Sequence, residues 1–274
     1  MDRIRKALDL ARQERERLYS APQVLDEPRV EIKVAASQVP VSIAYTTSRT
    51  FTAGPALLES NRIVDSSANN PAAAAFRMLR TQVLQRMDEH GWRSLAVLSP
   101  RSEDGKTTTA INLAMSLANN RQHTVLLVDS DLRSPAIGAA LGLAPEFGLE
   151  DVLRGQARVE QCLYHPEGFD RLLVLPAREA IANSSEVLAG PQGRALVAEL
   201  RARYPERLIL FDLPPVLMTD DALAFLPLVE CGLVVVAERV TSREDLLRCM
   251  ELVRKTPIVG TVLNRATDAH SGYG

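Results

Sequence analysis

Residues 95–109 read LAVLSPRSEDGKTTT, an apolar run followed by a polar loop that ends in Gly105-Lys106-Thr107. A strand, a loop and Gly-Lys-Thr at the start of a helix are typical of a phosphate-binding loop. In such a loop the backbone N–H groups and the helix N-terminus surround the anion, the lysine reaches the β and γ phosphates, and the threonine hydroxyl binds Mg²⁺. The strict pattern has glycine five residues before Gly105, where this chain has Pro100, so the motif alone is an incomplete match.

Aspartates follow two further apolar runs. Asp129 and Asp131 come directly after Val125–Val128, and Asp212 comes directly after Leu208–Phe211. A lone aspartate at a strand end is more often a turn residue or a helix cap. Three polar sites after three predicted strands instead favour one nucleotide site, because carboxylate oxygens hold hydrated Mg²⁺ beside a bound phosphate.

Apolar runs alternate with helical patterns along most of the chain. Asn70 as a cap, Pro71 at the first helical position and Gly91 at the end predict a helix between them. We expect further helices at Thr107–Ala118, Gln192–Arg203 and Arg243–Arg254, and strands at Leu95–Leu98, Thr124–Val128, Arg171–Leu175, Leu208–Phe211, Gly232–Ala237 and Ile258–Leu263. Continuously apolar strands indicate a parallel sheet covered on both faces. The predicted class is therefore α/β: a three-layer P-loop NTPase fold with a mostly parallel central sheet flanked by helices, preceded by a largely disordered N-terminal segment.

Four segments are expected along the chain. Residues 1–19 mix charged residues with apolar residues near helical spacing, which predicts a short amphipathic helix. Residues 20–70 carry four prolines and few periodic apolar runs, so we interpret them as a flexible linker. Residues 71–265 form the predicted nucleotide-binding domain, and residues 266–274 a flexible tail.

The composition excludes several classes of protein. The 274 residues have a net charge of −2, with both signs interspersed, so the sequence shows no basic surface for nucleic acid and we expect no nucleic-acid partner. Three widely spaced cysteines fit a reduced, cytoplasmic setting. The most apolar region, residues 208–237, contains several carboxylates and prolines, so it is not expected to span a bilayer.

Several stretches resemble the bacterial tyrosine kinases of polysaccharide synthesis. The likeness covers residues 71–265 and rests on SPRSEDGKTTTAINLA, LLVDSDLRSP and LILFDLPPVLMTDDALAF, which match the family's Walker A, Walker A′ and Walker B motifs. The stretches ALLESNRIVD, AFRMLRTQVLQRM, ANSSEVLAGP, RYPERLILFDLPPVL and GTVLNR are more specifically similar to the autokinases encoded beside exosortase-linked exopolysaccharide loci.

The resemblance implies a role for individual residues. Lys106, Asp129 and Asp131 would be catalytic, with Asp131 as the base toward a tyrosine hydroxyl. Thr107, Asp129 and Asp212 would hold Mg²⁺. The implied contacts to ATP come from Asp104, Gly105, Lys106, Thr107, Thr108, Arg133, Asn264 and Arg265.

The resemblance also implies partners. These kinases act with a membrane-bound chain-length determinant protein, here expected on a separate chain that recruits the kinase to the inner face of the plasma membrane. A homo-oligomer is implied through Arg77 and Arg80, although Ala74 replaces the acidic residue of the family's ExxRxxR motif. The family's C-terminal tyrosine cluster is reduced to Tyr273, the candidate phosphoacceptor, and Glu103 stands where the loop usually has glycine.

The sequence leaves two alternative functions open. The chain could be an ATPase switch of the export machinery that phosphorylates no tyrosine. It could also be a partitioning ATPase of the deviant Walker class, which has a lysine at the position of Arg101. Arginine carries the same charge but not the compact ammonium group that such a site requires.

Overall fold

The computed structural model describes residues 48–65, 68–120, 122–203 and 206–266. The helix expected over residues 1–19, the linker up to residue 47 and the tail from residue 267 lie outside these described residues. The strands are β1 Arg49–Phe51, β2 Ser94–Leu98, β3 Thr124–Asp129, β4 Tyr164–Pro166, β5 Leu172–Leu175, β6 Arg207–Asp212, β7 Cys231–Ala237 and β8 Ile258–Asn264. The α-helices are α1 Pro55–Ser60, α2 Pro71–His90, α3 Lys106–Ala118, α4 Ile137–Leu141, α5 Leu149–Leu153, α6 Ser184–Ala189, α7 Pro191–Arg203, α8 Asp221–Phe225 and α9 Arg243–Leu252.

The eight strands form one sheet in the order β1-β4-β5-β3-β6-β2-β7-β8. All neighbouring pairs run parallel except β4 and β5. The predicted α/β fold with a mostly parallel sheet is thus confirmed. The strands β2, β6 and β3 are parallel neighbours in this sheet. Their carboxyl ends, and the loops that follow them, therefore lie at the same edge of the sheet.

The central strands are buried along their whole length because helices cover both faces of the sheet. Residues of β2, β3, β5, β6 and β7 are all buried except Thr124 at the start of β3. Alternate residues of each strand contribute to two apolar cores, one on each face. This double coverage explains why the strands appear as continuous apolar runs rather than as alternating patterns.

The helix before the first predicted strand forms as its end signals indicate. The Asn70 side chain accepts a hydrogen bond from the N–H of Ala73, and Pro71 occupies the first turn. Gly91 ends the helix in the left-handed conformation, with φ 68°. These are the favoured cap residues at the two ends of a helix.

Part of the segment interpreted as a flexible linker is folded, which corrects that prediction. Within residues 48–65, β1 pairs with β4 and α1 follows it. Asn112 of α3 holds the end of this segment, because its Oδ1 accepts from the N–H of Val64 at 2.7 Å and its Nδ2 donates to the carbonyl of Arg62 at 3.0 Å. A three-residue strand whose partner lies more than a hundred residues away leaves no local pattern, so the sequence did not reveal it.

No α-helix among the described residues is long and apolar enough to cross a bilayer.

Candidate nucleotide site

A cavity of about 640 Å³ lies at the carboxyl ends of β2, β3 and β6. The loop between β2 and α3, residues 99–105, forms its floor. Residues that follow β3, β6 and β8 complete its walls, among them Asp131, Pro214 and Arg265. The three segments singled out by the sequence are therefore brought to one place, as the strand order requires.

Asp104 gives the loop its shape. The side chain is fully buried, and its Oδ2 accepts from the N–H of Arg101 at 2.9 Å. Its Oδ1 accepts from the hydroxyl of Thr241, at 2.7 Å, which ties the loop to the segment after β7. The carboxylate of Asp104 is therefore occupied within the protein, and only its backbone can take part in the predicted contact to ATP. Two residues of the loop adopt positive φ, Glu103 at 66° and Gly105 at 87°.

Lys106 lies at the centre of the site and is almost completely buried. Its Nζ lies 2.7 Å from Asp212 Oδ1, 3.5 Å from Asp131 Oδ2 and 3.4 Å from Thr107 Oγ1. Burial is the strongest single influence on its pKa and lowers it, but the neighbouring carboxylates, Asp212 first, together raise the pKa above the ordinary value. The ammonium group is therefore kept charged where the phosphates of a nucleotide would lie.

The two aspartates after β3 have different surroundings. Asp129 is fully buried, and its Oδ2 accepts from the N–H groups of Ala136 and Ile137, both at 3.0 Å. Burial, reinforced by the charge of Asp212, raises the pKa of Asp129 to about 7. Asp131 faces the cavity, and burial likewise raises its pKa, against the opposing effect of Lys106. A carboxyl group with a raised pKa next to a phosphate site is suited to accept a proton.

The oxygen atoms in the site fit a hydrated Mg²⁺ ion. Asp212 Oδ2 accepts from the hydroxyl of Thr107 at 2.6 Å, and Asp129 Oδ1 is buried with no hydrogen-bond partner among the described residues. Within the part of the chain that the structure describes, no group of three or more His, Cys, Asp and Glu residues could hold a metal alone. An ion here would thus complete its shell with water and phosphate oxygens, as Mg²⁺ commonly does.

Arg133 lines the cavity, and a buried carboxylate holds its side chain in place. Its Nε donates to Asp221 Oδ2 at 2.7 Å, and Asp221 is fully buried. The hydroxyl of Ser184 also donates to Asp221. The segments after β3, β5 and β6 are therefore joined through the Asp221 carboxylate. The role of Asp221 was not predicted, although this residue lies within the stretch LILFDLPPVLMTDDALAF.

Asn264 is the last residue of β8, on the other side of the loop, and Arg265 follows it. The Nδ2 of Asn264 donates to the carbonyl of Asp104 at 3.0 Å, and Arg265 lines the cavity. A Cβ atom added at Gly105 would lie 1.9 Å from Asn264 Nδ2, so the Asn264 side chain would have to move, and the φ of 87° separately favours glycine. Asn264 is thus a support for the loop, and its predicted contact to ATP remains a prediction.

Two contacts at the mouth of the cavity were not predicted from the sequence. Arg101 makes a bidentate ion pair with Asp245 of α9, with its Nε 2.7 Å and its Nη2 2.9 Å from the carboxylate oxygens. Ser102 donates its hydroxyl to the sulfur of Met218 at 3.2 Å. Both link the loop to segments more than a hundred residues away, which local patterns do not predict.

The remaining predicted site residues lie elsewhere. Arg77 and Arg80 are half-buried on α2, where Arg77 donates to the carbonyl of Ala68 at 3.0 Å and Arg80 to that of Ser116 at 3.1 Å. Their role in an oligomer interface stays a prediction. Tyr273 lies outside the described residues.

Comparison with known proteins identifies the family. Residues 95–272 match the model of the CobQ/CobB/MinD/ParA nucleotide binding domain. The chain belongs to the CobQ/CobB/MinD/ParA nucleotide-binding family. Membership in this family confirms the predicted P-loop NTPase fold of a nucleotide-binding domain. The roles of the individual loop residues and aspartates stay predictions.

Several relatives of this chain are bacterial tyrosine kinases. Tyrosine-protein kinase YwqD of Bacillus subtilis (strain 168) is 27% identical over 220 residues, which cover 79% of this chain and 91% of YwqD. The kinase domain of VpsO is 30% identical with a TM-score of 0.64, over 71% of this chain and 95% of that domain. The resemblance to bacterial tyrosine kinases is confirmed, whereas the narrower likeness to exosortase-linked autokinases stays a prediction.

A third relative is named for polysaccharide transport. The succinoglycan biosynthesis transport protein ExoP of Rhizobium meliloti (strain 1021) is 30% identical over 217 residues. The match covers 75% of this chain but 26% of ExoP, so the chain spans about a quarter of that relative's length.

Proposed function

We propose that this chain is an ATP-dependent protein-tyrosine kinase that phosphorylates itself and regulates exopolysaccharide synthesis, chain length or export. The observation that carries the proposal is the convergence of Lys106, Asp131 and Asp212 within hydrogen-bond or ion-pair distance at the phosphate loop. The names of the relatives YwqD and ExoP support the kinase activity and the polysaccharide context, respectively.

The chemistry is a phosphoryl transfer from ATP to a tyrosine. The phenolic oxygen forms a bond to the γ-phosphorus, the bond from that phosphorus to the β–γ bridging oxygen breaks, and ADP leaves. Asp131 takes the phenolic proton, while Lys106 stabilises the negative charge on the transferred group. When bound through Thr107, Asp212 and Asp129, Mg²⁺ neutralises phosphate charge. Positioning and electrostatics supply most of the rate in such reactions.

The partners follow from the same proposal. We infer that a membrane-bound chain-length determinant protein on a separate chain recruits the kinase to the cytoplasmic face of the plasma membrane. A homo-oligomer would present Tyr273 of one copy to the site of another. The acceptor must lie outside the described residues, because the one tyrosine within them, Tyr164, is buried and its hydroxyl accepts from the N–H groups of Glu146 and Phe147.

The test is mass spectrometry of the purified full chain after incubation with MgATP. The expected result is phosphate on Tyr273, absent from Lys106→Met and from Asp131→Asn. The two variants are complementary negative controls. Lys106→Met removes a buried cation, whereas Asp131→Asn changes only the group proposed to accept the proton. Absence of phosphotyrosine from the wild type, with the membrane partner's cytoplasmic segment present, would overturn the proposal.

A second function is favoured by Glu103. This residue is exposed beside the phosphate loop and places a negative charge near the position of a triphosphate. Slow turnover with no tyrosine phosphorylation would suit an ATPase switch of the export machinery. ATP hydrolysis that survives Tyr273→Phe, together with unchanged polysaccharide output, would support this alternative over the kinase.

A further inference from the structure

The strand order divides the candidate site into two sides. The phosphate loop follows β2, which lies between β6 and β7 in the sheet. On one side lie the segments after β6 and β3, which carry Pro214, Met218 and Asp131. On the other side, beyond β7, lies the end of β8 with Arg265. Lys106 stands between the two sides, at the place of the phosphates.

The candidate base indicates which side receives the acceptor. Asp131 must lie next to the hydroxyl that it deprotonates. An acceptor therefore enters from the side of β6 and β3, while the rest of the nucleotide extends from Lys106 the other way. The segment after β6 accordingly faces the acceptor rather than the base of the nucleotide.

This segment offers an apolar surface at the rim of an otherwise polar cavity. Pro214 is buried, Pro215 is half-buried, and both line the cavity. Met218 also lines it and is 59% exposed, so its side chain is open to an incoming group. The hydrogen bond from Ser102 to its sulfur holds the side chain beside the loop. We name Pro214, Pro215 and Met218 the apolar shelf.

We propose that the apolar shelf binds the phenol ring of the acceptor tyrosine and that Met218 is a specificity-determining residue for it. This inference rests on the proposed function. The ring would pack on the two prolines and on the methionine sulfur, a favourable partner for aromatic rings. With the ring there, its hydroxyl points toward Asp131 and Lys106. The side chains of serine and threonine have no ring to bury, so the shelf selects a phenolic over an aliphatic hydroxyl.

The experiment compares Met218→Gln, which keeps the length of the side chain but makes it polar, with Met218→Leu, which keeps it apolar. Full-length protein is incubated with MgATP, and phosphotyrosine formation and ATP hydrolysis are followed in the same samples. Leu247→Gln is the matched control, because Leu247 is 54% exposed on α9 and lies outside the cavity lining.

Met218→Gln is expected to slow phosphotyrosine formation by about fivefold to tenfold, because a polar amide replaces the apolar contact with the ring. The KM for ATP in hydrolysis should move by less than about twofold. Met218→Leu should restore most of the transfer rate, and Leu247→Gln should behave as the wild type.

Three outcomes would count against these proposals in different ways. If the wild type forms no phosphotyrosine, the proposed function fails and the inference falls with it. If the wild type forms phosphotyrosine and Met218→Gln forms it equally fast, the apolar shelf alone is wrong. If Met218→Gln raises the KM for ATP as much as it slows transfer, the apolar shelf contacts the nucleotide or supports the phosphate loop. The proposal that it binds the acceptor tyrosine is then wrong.

Discussion

Lys106 and Asp212 form a buried ion pair, with the lysine Nζ 2.7 Å from Oδ1 of a fully buried carboxylate. Asp131 Oδ2 lies 3.5 Å from the same ammonium group. The cation therefore holds together two strand ends that carry like charges. Lys106 therefore contributes to the stability of the nucleotide-free protein as well as to the proposed reaction.

Lys106→Met should destabilise the nucleotide-free protein as well as stop turnover. Removal of one partner of a buried ion pair leaves an uncompensated charge, which typically costs about 3–5 kcal/mol. The free energy of unfolding in urea measures this loss. The double variant Lys106→Met/Asp212→Asn should recover part of it, because the uncompensated carboxylate is gone. A single variant as stable as the wild type would contradict the structural role of the pair.

Glu103→Gly should both relax the loop and strengthen nucleotide binding. Glu103 has φ 66°, in the left-handed region that costs a residue with a side chain about 1–2 kcal/mol. Glycine removes this strain but adds disorder to the unfolded chain, so a net gain in stability below about 1 kcal/mol is expected. Loss of the carboxylate should also lower the Kd for MgATP, more at low salt than at high salt.

Glu103→Gln separates the two effects. It removes the charge and keeps the side chain in the left-handed conformation. We therefore expect it to lower the Kd for MgATP, measured by calorimetric titration, without raising the midpoint of thermal unfolding. Equal stabilisation by both variants would show that the backbone conformation of Glu103 is not strained.

Arg101→Ala tests the remaining partitioning-type alternative. In this structure Arg101 is bound within its own chain, by the bidentate pair with Asp245. Hydrogen bonding from Arg101 is the largest influence on Asp245 and lowers its pKa, so the pair is ionised at neutral pH. We expect Arg101→Ala to keep ATP hydrolysis within a few-fold of the wild type. Loss of hydrolysis together with loss of a nucleotide-dependent dimer, measured by light scattering, would instead favour the deviant Walker class.

Much of the fold and part of the site followed from the sequence, for physical reasons. Buried parallel strands must be apolar throughout, so five of the six predicted strands, β2, β3, β5, β6 and β7, were visible as apolar runs. The sixth, β8, is only partly buried. Lys106 was predicted from the Gly-Lys-Thr motif, and Asp129, Asp131 and Asp212 from their positions after apolar runs. Sequence gave no sign of β1, since a three-residue strand is specified by its distant partner. It also missed how Asp104, Asp221 and Met218 act, because their partners Thr241, Ser184 and Ser102 lie far away in the chain.

Glu230→Gln should weaken the start of β2 in a pH-dependent manner. Glu230 Oε2 accepts from the N–H groups of Arg93 and Ser94, at 2.7 and 2.8 Å, and from the Ser94 hydroxyl at 3.0 Å. Burial raises the pKa of Glu230, but these hydrogen bonds outweigh burial and hold the pKa below its ordinary value of 4.5. A lowered pKa in the folded state contributes stability above the unfolded-state pKa, which is lost as the pH falls through the folded-state pKa.

The stability difference between wild type and Glu230→Gln should therefore be largest at neutral pH, about 1–3 kcal/mol for charge-assisted hydrogen bonds, and should shrink below about pH 4.5. Urea unfolding at pH 7 and at pH 4 measures it. Glu206→Gln is the control for the same substitution at an exposed position. A constant difference at both pH values would mean that the charge of Glu230 contributes nothing.

Gly105 and Asn264 offer a final test of how the loop is held. Gly105→Ala meets two obstacles, a φ of 87° and the Asn264 side chain at 1.9 Å from the added Cβ. Asn264→Ala removes the second obstacle but also the hydrogen bond to the carbonyl of Asp104. We expect Gly105→Ala to abolish MgATP binding and to lower the unfolding midpoint, and Asn264→Ala to weaken binding mildly. The double variant should be more stable than the sum of the single losses predicts, because the clash is absent. Strict additivity in thermal unfolding would show that the two residues do not touch in solution and that backbone strain alone makes glycine necessary.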